Sequence, residues 1–137
     1  MRRSDQRRDA AVALYQRDVT GRPLEELLTD AKPFTRDLAL GADEHLAEID
    51  SEIGANAHGW TIQRIAPLER AIMRIAVFEI HHRPEIPVPV SINEAVDSTK
   101  RYCGAEAPGF VNGVLSAIAT AAEPEAEAEP EAEGSPA

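Results

Sequence analysis

Pro67 to His82 constrains this chain more than any other segment. Proline suits a first helical turn, where its missing N–H has no partner to lose. After it, Ala71, Ile72, Ile75, Ala76, Phe78 and Ile80 cover most of the circumference of a helix. A helix with one apolar stripe lies on a surface, whereas one that is apolar nearly all round is enclosed by its neighbours. The segment therefore predicts a central helix and the core of the fold. Aromatic residues make up only 4 % of the chain, so that core is mostly Leu, Ile, Val and Ala, which suits helices better than a β-sandwich. At 137 residues the chain fits one domain that needs no staples.

The flanking sequence supplies more helices. Residues 4–20 read as one, with Ser4 as N-cap and Ala11, Leu14, Tyr15 and Val19 at helical spacing. Gly21 ends it, and Pro23 suits the start of a short helix from Leu24 to Ala31. After Pro33, the stripe Phe34, Leu38, Ala42, Leu46, Ile49 and Ile53 predicts one longer helix. Gly54 and Gly59 loosen the chain before a short helical turn at Trp60–Ile65. Pro84, Pro87 and Pro89 make residues 83–90 an extended connection. Ser91 and Glu94 then have capping-box spacing for a helix to Tyr102. A turn containing Gly104, Pro108 and Gly109 leads to a last helix from Phe110 to about Ala122, where Gly113 is expected to let two helices approach. Residues 123–137 alternate Glu, Ala and Pro and bury too little to offset ordering entropy, so a disordered acidic tail is expected.

Charge is unevenly spread. Of the net −10, six negative charges fall in that tail, whereas Arg2, Arg3, Arg7 and Arg8 face only Asp5 in the first eight residues. Screening limits charge interactions to about 8–10 Å, so a phosphate backbone senses the local arginine arm and not the global pI. Helix N-termini prefer acids, so arginines there point to a role other than helix stability. The acidic tail is expected to oppose that arm. A second feature joins Lys100, Arg101 and Tyr102 to Phe110 and Asn112 at one helix–turn–helix corner. Cations for phosphates, aromatic faces for stacking and amides for base edges are what single-stranded RNA requires.

No constellation for catalysis or for a cofactor stands out. His81 and His82 are adjacent, so on a helix they point about 100° apart and cannot both grip one metal. His45 and His58 lie on or near a different helix, and Cys103 has no evident histidine partner. A single cysteine and the absence of a long apolar run point to a cytoplasmic protein without a membrane span.

Four segments, in order, resemble the NusB family: Ala13-Leu14-Tyr15 behind the arginine arm, Leu68 to Ile80, Val90 to Val96, and Phe110-Val111-Asn112-Gly113-Val114-Leu115. The agreement covers residues 7–119. The resemblance implies an all-α fold of about seven helices in two three-helix subdomains, spanning residues 1–122. It implies a non-enzymatic transcription antitermination factor that binds boxA-type RNA together with the ribosomal protein NusE in the RNA polymerase antitermination complex, as monomer or homodimer. RNA would meet Arg2, Arg3, Arg7, Arg8, Tyr15, Lys100, Arg101, Phe110 and Asn112. Glu69 and its neighbours Arg70 and Met73 would help dock NusE. The turn Ala105 to Gly109 departs from the family, which often has an acidic pair and a serine there. Two other readings compete. NusB-like accessory domains occur in some ribosomal RNA cytosine methyltransferases, but those chains continue into an α/β domain where a tail is expected here. The other is a helical adaptor that binds protein alone.

Overall fold

The computed structural model describes the backbone of residues 2–134 and the side chains of residues 2–122. The described residues are helical throughout their regular structure: α1 (Arg3–Thr20), α2 (Leu24–Leu27), α3 (Pro33–Glu44), α4 (Leu46–Asn56), a single 3-10 turn (Ile62–Arg64), α5 (Pro67–His82), α6 (Val88–Tyr102) and α7 (Ala107–Gly134). The central helix has the bounds its sequence predicts. It packs against α1, α3, α4, α6 and α7, and nine consecutive residues, Ala71–Glu79, are buried. The two three-helix groups are α1–α3 and α5–α7, which meet along α5, while α4 packs on α5 and α7. Leu14, Leu38, Ile53, Met73, Val77, Leu115 and Ile118 meet in the core.

Two of the nine buried residues of α5 are charged, and each ties other helices to it. The Arg74 guanidinium donates through Nε and Nη2 to the two Asp50 oxygens, both at 2.7 Å, and through Nη1 to Asp18 Oδ2 at 2.6 Å. That fork joins α5 to α4 and α1. The Glu79 carboxylate, 1 % exposed, accepts from Arg7 Nε on α1 and from Ser91 Oγ on α6, both at 2.6 Å. α3 approaches α5 through a glycine: a Cβ on Gly41 would collide with the Phe78 ring. Gly113, by contrast, has open space where its Cβ would stand, so no helix approach requires it.

Several local expectations are corrected. Phe34–Ile53 is two helices, because the chain bends at His45 (φ −106°, ψ 24°). The hydrogen-bond ladder continues through the bend, with His45 N–H on the Gly41 carbonyl at 3.2 Å and Ile49 N–H on the His45 carbonyl at 3.0 Å. Before the bend α3 packs on α1 and α5 and buries Leu38 and Ala42, and after it α4 packs on α5 and α7 and buries Ile49 and Ile53. Ser91 is not a cap. α6 starts at Val88 after Pro87, with Pro89 in the first turn, where it displaces no helical bond. The Ser91 N–H already bonds to Pro87, and its hydroxyl turns to Glu79. Ser4 lies inside α1, whose N-cap position is Arg2 with no side-chain cap bond. Gly21 does end α1, in the left-handed region at φ 77°, its N–H on the Arg17 carbonyl at 2.9 Å. α2 is shorter than expected and stops at Leu27. α7 starts at Ala107, ahead of Phe110, and its backbone is helical to Gly134. The side chains of the expected acidic tail, and residues 135–137, lie outside the described residues.

Two stability predictions follow from this packing. Ser91→Ala removes a buried donor to a carboxylate and is expected to cost about 2 kcal/mol, more than a lost N-cap; urea melts of mutant and parent measure it. The second concerns His82, whose ring stacks on His45 at 4.0 Å and on Phe78 at 5.2 Å between centroids. Burial, then the nearby His45 and His81, push its imidazole below the usual range; Glu48 opposes this and Arg83 adds to it. A depressed histidine stabilises the fold while neutral, so stability is lost as pH falls through the unfolded value of about 6.5. His82→Phe is expected to flatten the stability profile between pH 7 and pH 5, checked by urea melts across that range.

Candidate nucleic-acid interface

The arginine arm is helical from Arg3 onward, so its cations stand at helical spacing on the first turns of α1. Arg2 and Arg3 are exposed, and Arg8 pairs with Asp5 one turn before it. Arg7 is corrected: it does not face solvent. Its Nε is held by Glu79, and its Nη1 lies 3.7 Å from Glu94 on α6. A buried carboxylate needs a cation, and Arg7 is the arm residue at the right turn of α1 to supply it. The ring of Phe34, from α3, lies beneath Arg3 at 4.2 Å. Tyr15, two turns further along, is half-buried against the core.

The second group forms at the other end of α5. Lys100, Arg101 and Tyr102 are exposed on the last turn of α6, and Asn112 is exposed on α7. Phe110 is half-buried and meets the ring of Trp60 edge-on, with centroids 6.4 Å apart. Trp60 is 51 % exposed, and Arg64 stands 5.9 Å from its ring. Trp60, Arg64 and Phe110, with Ile65, Glu69 and Gly104, line an open cavity of about 590 Å³. The left-handed pair His58 (φ 39°) and Gly59 (φ 87°) turns the chain so that Trp60 reaches it. Trp60 and Arg64 were read from sequence only as part of a helical turn. Their signal was the chain's one tryptophan in a polar stretch, four residues before a cation.

The two groups do not merge. Arg7 and Arg3 sit beside the Glu79 end of α5, and Phe110 sits beside the Glu69 end. Ten residues of helix separate those ends, about 15 Å at the α-helical rise. A ligand that touches both must span at least that distance.

The residues expected to dock a protein partner divide differently. Glu69 opens into the 590 Å³ cavity, where burial raises its carboxyl above the usual range. Arg70 and Met73 are corrected. Arg70 is largely buried, donating to the Ile62 carbonyl at 2.9 Å and lying 3.5 Å from Asp18, and Met73 is wholly buried in the core. A helix enclosed through its middle leaves its ends open to a partner, the first turn at Glu69 and the last at His81.

Burial, and then the charge of Glu69, push the Cys103 thiol upward, away from the thiolate a nucleophile needs. The bend at His45 brings His45 against His82, which their sequence positions do not reveal. Even so, no group of three or more His, Cys, Asp or Glu among the described residues is placed to hold a metal ion. No helix among them is long and apolar enough to cross a membrane.

A family model described as the NusB family matches residues 4–120. The chain is 40 % identical over 127 residues to the transcription antitermination protein NusB of Geobacillus kaustophilus (strain HTA426), covering 88 % of this chain and 98 % of that one. Among solved structures it is similar to NusB of T. maritima, with a TM-score of 0.81, 28 % identity and coverage of 88 % of this chain and 92 % of that one. It is also similar to a chain in the crystal structure of the antitermination factors NusB and NusE in complex with double-stranded RNA, with a TM-score of 0.78, 31 % identity and coverage of 88 % and 99 %.

The arm predicts a split between stability and binding. Arg7→Ala leaves Glu79 buried without its cation and is expected to destabilise the fold by about 3 kcal/mol. Arg8→Ala removes only a surface pair and is expected to change stability by less than about 1 kcal/mol. Thermal or urea melts of the two variants, side by side, check the contrast.

Proposed function

The chain belongs to the NusB family, and from that premise we propose that it is a cytoplasmic, non-catalytic transcription antitermination factor that binds boxA-type single-stranded RNA jointly with NusE and supports transcription of ribosomal RNA operons. The observation that carries the RNA and NusE part of this reading is the likeness, over 88 % of this chain and 99 % of that one, to a chain solved in a complex of NusB and NusE with double-stranded RNA. The geometry supports it. Exposed Arg2 and Arg3 offer charge for phosphates at one end of α5, and Arg8, paired with Asp5, lies beside them. Lys100, Arg101, Phe110 and Asn112 offer cations, a ring and an amide at the other. Tyr15 lies on α1 between the two. Glu69 remains the acidic residue of the central helix that can meet a basic partner such as a ribosomal protein.

The test is a titration of a labelled boxA-like RNA by fluorescence anisotropy, with and without NusE, at several salt concentrations. Binding is expected to tighten with NusE and to weaken with salt by about 0.7 in log K per log salt for each phosphate contact. Changing Arg2, Arg3 and Arg8 together to Ala should flatten that slope by up to roughly 2. Salt-independent or absent binding by the parent protein would leave the adaptor reading in its place. An unchanged slope in the triple variant would remove the arm from the interface.

A further inference from the structure

The first turn of α1 lacks the usual supports. Its N-cap residue, Arg2, makes no side-chain cap bond, and Asp5 is the acidic residue set against the cations Arg2 and Arg3 there. Cations at a helix N-terminus oppose the macrodipole, and an uncapped end leaves amide donors without helical partners. The turn is nevertheless helical, and α3 is one of the elements that hold it. Thr35 Oγ1 donates to the Gln6 carbonyl at 3.0 Å. The residue before it, Phe34, lies under two arginines of α1, with Arg3 at 4.2 Å and Arg7 at 5.3 Å from its ring centroid.

The three arginines of these first turns are held in two different ways. Arg7 is held by Glu79 and Arg8 by Asp5, so each lies against a carboxylate that offsets its charge. Among the described residues Arg3 has no carboxylate partner; its contact is the face of Phe34. The difference matters for phosphate capture. A carboxylate fixes a guanidinium by taking its in-plane N–H donors and offsetting its charge. A ring face fixes it through the π-system and leaves the donors and the charge free.

We propose that Phe34 is a positioning residue for RNA capture, holding the Arg3 guanidinium, and the first turn of α1 with it, in the orientation that meets phosphate. This rests on the RNA-binding reading above. The ring acts through Arg3, so its effect on RNA requires Arg3. It also requires an aromatic face and not only apolar bulk, so tyrosine can replace Phe34 and leucine cannot.

The experiment is a double-mutant cycle on the full-length chain, with Phe34→Leu, Phe34→Tyr, Arg3→Ala and the Phe34→Leu/Arg3→Ala pair. Each is titrated with a labelled boxA-like RNA at low and high salt, and urea melts confirm that each is folded. Phe34→Leu is expected to weaken binding about three-fold at low salt, the scale of one exposed cation–π contact, and Phe34→Tyr to restore it. Arg3→Ala lowers the salt slope by about 0.7. In that background Phe34→Leu has no further effect, whereas a merely structural role would weaken binding equally with or without Arg3. Ring-current shifts of the Arg3 side-chain protons, present in the parent and in Phe34→Tyr and lost in Phe34→Leu, report the contact without RNA. If the parent binds and Phe34→Leu binds as tightly, or if the two losses simply add, the positioning role is overturned and the RNA reading stands. If the parent shows no salt-dependent binding, both fall together.

Discussion

The bidentate grip of Arg74 on Asp50, with Asp18 on its remaining edge, is the interaction around which the other helices are arranged. A helix as apolar as α5 has no preferred rotation in a purely greasy core, because most of its faces are interchangeable. Two buried charges remove that freedom. Arg74 admits only an arrangement in which α1 and α4 each present a carboxylate to it. Glu79, five residues on, needs a cation from α1 and a donor from α6. Ion pairs of this kind add little net stability over well-packed apolar groups, but breaking one leaves a stranded charge. We read them as devices of register: they settle which faces of α1, α4 and α6 meet α5, and so which residues of α1 remain outside.

That division between inside and outside is where the sequence is hardest to read. The elements themselves were legible: Pro67–His82 came from apolar coverage, the end of α1 from Gly21, and the family from four ordered segments. What failed were inferences from a local pattern to a role. Ser91 and Glu94 have the spacing of a capping box, yet the partner of Ser91 is Glu79, twelve positions upstream, which no local pattern contains. The stripe from Phe34 to Ile53 is continuous and carries no mark of the bend at His45, after which α4 leaves α1 and packs on α7. Arg7 looks like Arg8 in the sequence, and only the packing of α1 on α5 separates them. Gly41, which the approach of Phe78 requires, has no mark that distinguishes it from Gly113, which nothing requires.

An acidic protein can offer RNA a surface of this kind because charge acts locally in salt. The first turn of α1 and the last turn of α6 each carry exposed cations, and with a screening length of roughly 8 Å such local groups count for more than the net charge. Several other arginines, among them Arg17, Arg36, Arg70, Arg74 and Arg83, are paired or bonded within the fold and present little charge to a ligand. The net charge thus describes neither end. The positions of the unpaired cations do.

The pair between Arg7 and Glu79 joins residues 72 positions apart, and the pair between Asp18 and Arg74 joins residues 56 apart. Such distant closures bear on the order of events while the chain is being made. Synthesis proceeds from the N-terminus at a few to some twenty residues per second. During the seconds before α5 emerges, neither Arg7 nor Asp18 has its counterpart. The nascent first helix then lacks both of these ties to the rest of the fold. The arm proposed to meet RNA is among the first parts translated, and its ties to α5 and α6 can close only after those helices have been made.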